Sequence, residues 1–245
     1  MEIVDCMGFN VFSGQLSEIE LNRENKILNT ISPISYGIST QDEFFRKALK
    51  ASDILVLDGV SFGLSGMILK GKKIVLNQGP EVFYQFMNKM NSLNGKVFFL
   101  GAAENTLEKM KARAAQDYPN VQVDYFSPPY KSEFSNEDSI VMIDKVNNFK
   151  PDVLFVGMTC PKQEKWSYQH KDKIDAKLTC CIGAVFDWYA GKKPIAPIWW
   201  KLRLAWLKRA IDRPEVLKRY PHIGKYFLHL ALAFLGFKKY RTGNF

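Results

Sequence analysis

Residues 152–183 read DVLFVGMTCPKQEKWSYQHKDKIDAKLTCCIG, and this stretch decides the predicted fold. Two short apolar runs, Asp152–Gly157 and Leu178–Gly183, flank a polar stretch whose helical pattern begins at Pro161. Polar side chains follow each run where the chain turns. Two parallel strands joined by a helix have this pattern, and ligands of such sheets bind at the carboxyl ends of the strands.

The same alternation of apolar and polar segments extends toward the N-terminus. Further apolar runs, which predict strands, are Asp53–Leu57, Lys73–Asn77, Lys96–Gly101 and Val121–Phe126. Polar segments with a helical pattern are Thr40–Lys50, Pro80–Asn91, Thr106–Asp117, Glu137–Phe149 and Pro161–Lys173. The sequence therefore predicts an α/β fold, a Rossmann-like parallel sheet with helices on both faces.

The positive charge of the chain is concentrated at its C-terminal end. The net charge is +9, yet residues 192–245 carry thirteen Lys and Arg against two acidic residues. This leaves −2 on residues 1–191. We predict an α/β body at 1–191 and a basic, amphipathic, helical appendage at 192–245 whose partner is an anionic surface.

The appendage has two features that bear on its partner. Trp200, Leu204, Leu207 and Ile211 recur at helical spacing, with basic residues on and beside the opposite face. The later apolar run, Tyr226–Phe237, has twelve residues, whereas a membrane-spanning helix needs about 20. The pattern fits a helix in a membrane interface. Two alternatives are a helix packed on the body and a Trp-rich basic segment that binds nucleic acid.

Asp58 is the candidate general base. It ends a predicted strand in the sequence LDGVSFG, where Gly59 permits a tight turn and a close approach to a substrate. Thr30, in LNTISPIS, is predicted to lie in a turn before a helix. Ordinary turn roles are the alternative for both positions, since an Asp-Gly turn is common and a turn hydroxyl often bonds its own backbone.

Candidate substrate-binding groups gather at three other strand ends. Gly101 and Gly157 each lead into a helix, whose free N–H groups favour phosphate. Thr159, Lys162 and Gln163 follow Gly157 in its turn. Asp187 follows the third strand end, at Gly183. The chain lacks GxGxxG and GxxxxGK[ST], which disfavours a dinucleotide site or a P-loop. It also lacks Asp-x-Asp, so we expect no metal and no other cofactor.

Several sequence blocks resemble the WecG/TagA/CpsF glycosyltransferase family. They are VGMTCPKQEKW (156–166), IGAVFDWYAG (182–191), APIWW (196–200), AWLKR (205–209) and RPEVLKRY (213–220). The PKQE-x-W and FD-x-x-AG blocks, in this order and before a basic tail, are quite specific. The resemblance runs from about Asn29 to Tyr220, which is most of the chain.

The resemblance implies a fold, an activity and roles for particular residues. It implies an inverting, metal-independent transfer of a hexose or N-acetylhexosamine from a UDP-sugar to a polyprenyl-diphosphate-linked saccharide, in bacterial surface polysaccharide synthesis. It also implies a peripheral location on the cytoplasmic face of the inner membrane. Asp58 would be the base, Thr30 and Gln163 would lie in the active site, and Arg209 would help bind the diphosphate. Arg213, in the same basic tail, is our own further candidate for the diphosphate. Nucleic acid is not an expected partner of such an enzyme.

The chain departs from the family pattern at several positions. Thr30-Ile31-Ser32 stands where the family has T-x-N, and Leu76, Ile195 and Ala205 replace polar residues. These departures leave open the sugar transferred, and a non-catalytic partner subunit is a further alternative. The oligomeric state also stays open, a homo-oligomer included.

Overall fold

The computed structural model describes residues 2–191 and 214–243 and centres on an eight-stranded sheet with the order β1-β2-β4-β3-β8-β7-β5-β6. The strands are β1 (Ile3–Cys6), β2 (Phe9–Phe12), β3 (Lys26–Ile31), β4 (Ile54–Leu57), β5 (Lys96–Gly101), β6 (Gln122–Phe126), β7 (Val153–Gly157) and β8 (Leu178–Cys181). All neighbours pair in parallel except β1, which pairs antiparallel with β2 at one edge.

Helices connect the parallel strands and also follow the last one. They are α1 (Pro33–Ser39), α2 (Glu43–Lys50), α3 (Val60–Lys70), α4 (Gly79–Leu93), α5 (Glu104–Asp117), α6 (Asn136–Phe149), α7 (Lys162–His170), α8 (Val185–Tyr189), α9 (Tyr220–Phe234) and α10 (Lys238–Thr242). The described ranges also contain the short 3-10 helices η1 (Leu16–Glu18), η2 (Lys171–Lys173) and η3 (Pro214–Arg219). The predicted α/β fold class is confirmed.

Alternate residues of the central strands point to opposite faces, and both faces are covered by helices. On one face, Phe99 and Phe155 pack with side chains of α4, α5 and α8. On the other face, Phe98 and Leu154 pack with α6 and α7, while Leu55 packs with α1, α2, α3 and α9. The continuous apolar runs of the sequence follow from this burial on both faces.

Strands β3 and β8 are neighbours from which the chain departs in opposite directions. After β3 the chain passes through α1 and α2 to β4, on the side away from β8. After β8 it forms α8, which contacts α4 and α5. Such a divergence opens a crevice at the carboxyl ends of the strands, which is the usual ligand position in sheets of this type.

One predicted strand is wrong, and one predicted turn residue lies in a strand. Lys73–Asn77 forms no strand, and only Leu76 makes a single bridge, to Leu57. Thr30 lies within β3, and the helix that follows begins at Pro33 after the N-cap Ser32. Thr30 is therefore held by the sheet itself, which fixes its position relative to the neighbouring strand.

Helix α9 packs into the core of the α/β body. Its residues Tyr226 and Leu230 are buried in the cluster that contains Tyr36 and Phe62. The predicted domain boundary at residue 191 stays a prediction, and most of the predicted appendage helix, including its Trp residues, lies outside the described residues. Within residues 2–191 and 214–243, no helix has the length and apolar character that a membrane span requires.

Candidate active site

Asp58 and Thr30 lie at the carboxyl ends of two neighbouring strands. Thr30 pairs in register with Val56 of β4, and Asp58 follows two residues later. The Asp58 N–H donates to the carbonyl oxygen of Ile31 at 2.8 Å, which ties the start of the β4–α3 turn to the end of β3. Both candidate side chains are on half-buried residues. The structure thus brings together the two residues that the sequence placed apart.

Gly59 turns the chain sharply between Asp58 and helix α3. Its φ of +91° lies in a region that residues with a side chain rarely adopt. A Cβ built at this position would have no neighbour within 4 Å, so the backbone conformation alone demands glycine. Gly59 therefore sets the direction of the turn that carries Asp58, as the sequence suggested.

Gln163 is buried beneath the turn between β7 and α7. Its side-chain Oε1 accepts the N–H of Met158 at 3.2 Å, and its Nε2 donates to Oε1 of Glu164 at 2.9 Å. A Cβ built on Gly183 would lie 3.5 Å from the Gln163 Oε1, so the amide also borders the end of β8. The amide of Gln163 therefore fixes the shape of this turn.

The two strand-end glycines are close-packed. Gly101 pairs with Gly157 in register, and a Cβ on Gly101 would lie 2.7 Å from the Gly157 carbonyl oxygen. A Cβ on Gly157 would lie 2.3 Å from the Phe186 ring, which belongs to α8. Packing alone therefore requires glycine at both positions, and their role in phosphate binding stays a prediction.

The remaining described candidates have different surroundings. The Lys162 ammonium donates to the carbonyl oxygen of Lys131 at 2.7 Å and lies 4.5 Å from the centre of the Phe134 ring. Burial lowers the pKa of Lys162. Thr159 is exposed in the β7–α7 turn, and Asp187 is half-buried on α8. The amine of Lys162 thus contacts the segment before α6, while Thr159 stays at the strand end.

Comparison with known proteins decides the family. The profile of the Glycosyl transferase WecG/TagA/CpsF family matches residues 3–240. This chain belongs to that family. Two relatives carry the name N-acetylglucosaminyldiphosphoundecaprenol N-acetyl-beta-D-mannosaminyltransferase. The one from Bacillus subtilis (strain 168) is 23% identical over 203 residues, which cover 82% of this chain and 77% of the relative. The one from Staphylococcus aureus (strain MRSA252) is 27% identical over 216 residues, which cover 88% and 83%.

Family membership confirms the resemblance and the enzyme class. The glycosyltransferase match extends across both the α/β body and the C-terminal helices, beyond the range of the sequence blocks. It supports the main hypothesis over the nucleic-acid-binding and non-catalytic alternatives. The roles of individual site residues are not tested by this match and stay predictions.

Glu164 is the residue that sequence reasoning missed in this glycosyltransferase. It is only 2% exposed, although it directly follows Gln163 in the PKQE block. Among residues 2–191 and 214–243, its Oε2 has no hydrogen-bond partner. Burial raises the pKa of Glu164 to about 7, against the opposing effects of hydrogen bonds, including one from Cys160, and of the Arg219 charge. The carboxyl group thus connects the β7–α7 turn electrostatically to η3.

The burial of Glu164 predicts a loss of stability as pH rises. The carboxyl is protonated in both states below pH 4.5, and the unfolded state loses its proton first as pH rises toward about 7. The difference in pKa corresponds to about 3 kcal/mol of unfolding free energy. The wild type loses unfolding free energy between pH 5 and pH 8. We expect this loss to be smaller in Glu164→Gln by about this amount, as measured by urea unfolding. Glu108→Gln, at an exposed glutamate on α5, is the control. Equal pH dependence in both variants would contradict the prediction.

The remaining predictions for the glycosyltransferase site concern its cations and the absence of a metal. Arg209 and Arg213, the predicted diphosphate-binding residues, lie outside the described residues, as do Ile195 and Ala205. In the described ranges 2–191 and 214–243, no group of three His, Cys, Asp or Glu side chains could hold a metal ion. Metal independence remains a prediction.

Proposed function

We propose that this glycosyltransferase moves a hexose or N-acetylhexosamine from a UDP-sugar to a polyprenyl-diphosphate-linked saccharide, with inversion and without a metal. The observation that carries the proposal is the position of Asp58 beside Thr30 at the sheet's carboxyl edge, in a chain of this family. The two relatives are named for transfer of N-acetylmannosamine to N-acetylglucosaminyl-diphosphoundecaprenol, which supports an acceptor of the same class.

The chemistry would be a single displacement at the anomeric carbon. Asp58 accepts the proton of the acceptor hydroxyl as that oxygen attacks the anomeric carbon. The bond from this carbon to the UDP oxygen breaks, and UDP leaves with the electron pair. Because the acceptor attacks from the face opposite UDP, the anomeric configuration inverts.

The leaving diphosphate needs positive potential at the other side of the site. The start of α7, which follows Gly157 and Thr159, lies at the carboxyl edge of the sheet, and the dipole of a helix favours negative charge at its N-terminus. Arg209 and Arg213 of the basic C-terminal segment would supply the cations. Stabilisation of charge that develops on a leaving group can be the largest catalytic contribution.

The enzyme would act as a peripheral protein at an anionic membrane, on the cytoplasmic face of the inner membrane. The support is the concentration of positive charge after residue 191 and the lipid-linked acceptor of the relatives. Each basic group near an anionic surface contributes about 1 kcal/mol.

A donor screen tests this proposal. The full chain would be incubated with a lipid-diphosphate-linked N-acetylglucosamine and a series of UDP-sugars, including UDP-N-acetylmannosamine. We expect turnover with one donor, unchanged by EDTA, and a product whose anomeric configuration is inverted by NMR. Retention of configuration, loss of activity in EDTA, or no transfer from any UDP-sugar would each contradict the corresponding part of the proposal.

A further inference from the structure

Helix α3 exposes an apolar face directly after Asp58. Its residues Phe62 and Ser65 are buried against the body. The opposite side carries four apolar residues spaced for one helical face and exposed at 64%, 36%, 54% and 46%: Val60, Leu64, Met67 and Ile68. We call this set the α3 face. The helix is therefore apolar on both its buried and its exposed side, which is unusual for a helix in contact with water.

The length of α3 limits what the exposed side can contact. Eleven residues span about 17 Å, much less than the hydrocarbon core of a bilayer, about 30 Å. A helix of this length with an exposed apolar side suits a contact in the plane of a surface.

Helix α9 lies beside α3 and has exposed apolar residues of its own. The Tyr226 hydroxyl donates to the Ser61 carbonyl oxygen at 2.9 Å and thereby joins the two helices. The exposed residues on and directly after α9 are Phe227, Leu228, Phe234, Leu235 and Phe237. Two helices in contact thus both present apolar side chains to solvent.

Lysines follow both sets of apolar residues along the chain. Lys70, Lys72 and Lys73 are exposed at the C-terminal end of α3, and Lys72 is within 3.3 Å of a Glu2 carboxylate oxygen. Lys238 and Lys239 begin α10. Apolar residues edged by lysines complement an anionic lipid surface, whereas two copies of a chain with a net charge of +9 repel each other.

We propose that the α3 face inserts at the boundary between headgroups and hydrocarbon of an anionic bilayer and holds Asp58 at the membrane surface. At most about 7 Å separates the Cα atoms of Asp58 and Val60, so contact through α3 places the candidate base at headgroup height. The α/β body then contributes its own residues to the membrane contact, in addition to those of α9 and α10. This inference rests on the proposed function, because a lipid-linked acceptor is what requires Asp58 at that height.

The test is binding of the full chain to vesicles, with a matched pair of variants. Met67→Gln/Ile68→Gln removes two apolar side chains that are 54% and 46% exposed. Ile140→Gln/Val141→Gln on α6, with exposures of 57% and 46%, is the control. We expect the α3 variant to lose roughly tenfold to a hundredfold in affinity for phosphatidylglycerol-containing vesicles, and the control to bind as the wild type does. Binding of the α3 variant equal to that of the control would overturn the proposal.

A second measurement does not depend on weakened binding. Met67→Cys, labelled with an environment-sensitive fluorophore, should shift its emission to the blue when anionic vesicles are added, while the same label at Ile140→Cys should not. The native cysteines are buried or half-buried, so the introduced thiol is the more accessible one. No shift at position 67 would overturn the proposal. A blue shift without vesicles, together with a larger mass in sedimentation, would also overturn it and assign the face to contact between copies of the chain.

The outcome separates this inference from the proposed function. Vesicle binding requires no sugar transfer, so its result stands whichever donor the enzyme uses. With a short-chain, water-soluble acceptor, the α3 variant should turn over as the wild type does, and with the acceptor in vesicles it should turn over at least tenfold more slowly. Absence of wild-type turnover on both acceptors would count against the proposed function alone.

Discussion

Asp58→Asn is expected to lower kcat by roughly 10²–10⁴-fold, the range attributed to a positioned general base. Asparagine has nearly the size of aspartate but cannot accept the proton of the acceptor hydroxyl. The half-buried position and the backbone hydrogen bond from residue 58 to Ile31 are compatible with either side chain, so folding should not change. The measurement is steady-state turnover with a lipid-diphosphate-linked acceptor.

The control for this variant is Asp172→Asn, at an exposed aspartate in η2 that removes the same charge. Its kcat should match that of the wild type. Asp58→Asn should also change kcat far more than KM, because proton removal stabilises the transition state and not the bound substrate. Turnover of Asp58→Asn equal to that of Asp172→Asn would contradict the assignment of the base.

Strands buried on both faces could be predicted from sequence, whereas the N-terminal hairpin and the polar strand β3 could not. The sequence predicts β5 with its observed bounds, Lys96–Gly101, and β7 to within one residue, because every position after Lys96 in β5 and every position in β7 is apolar. β3 contains Asn29, a polar residue that is fully buried and donates to the Ser52 hydroxyl at 2.8 Å. No local pattern reveals such a tertiary hydrogen bond, so the strand carrying Thr30 was missed.

The N-terminal hairpin and helix α3 could not be predicted from the sequence, for different reasons. β1 and β2 are short, and Met7 and Gly8 in their turn both have positive φ. A methionine does not indicate a turn of this kind, because residues with a side chain rarely adopt positive φ. α3 contains Gly63 and Gly66 and lacks a polar side, so it has neither helix propensity nor amphipathic periodicity. Tertiary packing of Phe62 on the core supplies what local preference does not.

The location of the candidate site could be predicted from the strand ends, but the hydrogen bonds among its polar groups could not. Asp58 lies where strand-end reasoning put it, since the carboxyl ends of parallel strands share one edge. The Lys162 amine bonds the distant carbonyl oxygen of Lys131, which only the folded chain brings close, and the Gln163 amide bonds the Met158 N–H only in the folded conformation of the β7–α7 turn. The burial of Glu164 could not be predicted from the sequence, because a charged residue at a helix start is ordinarily solvated.

Tyr226→Ala is expected to destabilise the fold by about 3–5 kcal/mol, the usual cost of removing a buried aromatic ring. The Tyr226 ring is fully buried, with centroids 5.6 Å from Tyr36 and 5.2 Å from Phe62. Its hydroxyl also donates to the Ser61 carbonyl oxygen, and burial raises its pKa, so the phenol stays protonated. Tyr226→Phe keeps the ring and should cost about 1–2 kcal/mol, for the lost hydrogen bonds.

Urea unfolding measures these differences, and Phe227→Ala, at a neighbour that is 44% exposed, is the matched control with an expected cost below about 1 kcal/mol. Equal destabilisation by Tyr226→Ala and Phe227→Ala would show that α9 does not belong to the core.

The contacts of Tyr226 also determine how the basic segment can be studied. Deleting every residue after Gly191 would remove Tyr226 from the core together with the tail cations, so a loss of activity would report both effects. Substitutions of Arg209 and Arg213 in the full chain separate charge from packing, because they leave Tyr226 of α9 packed against α3.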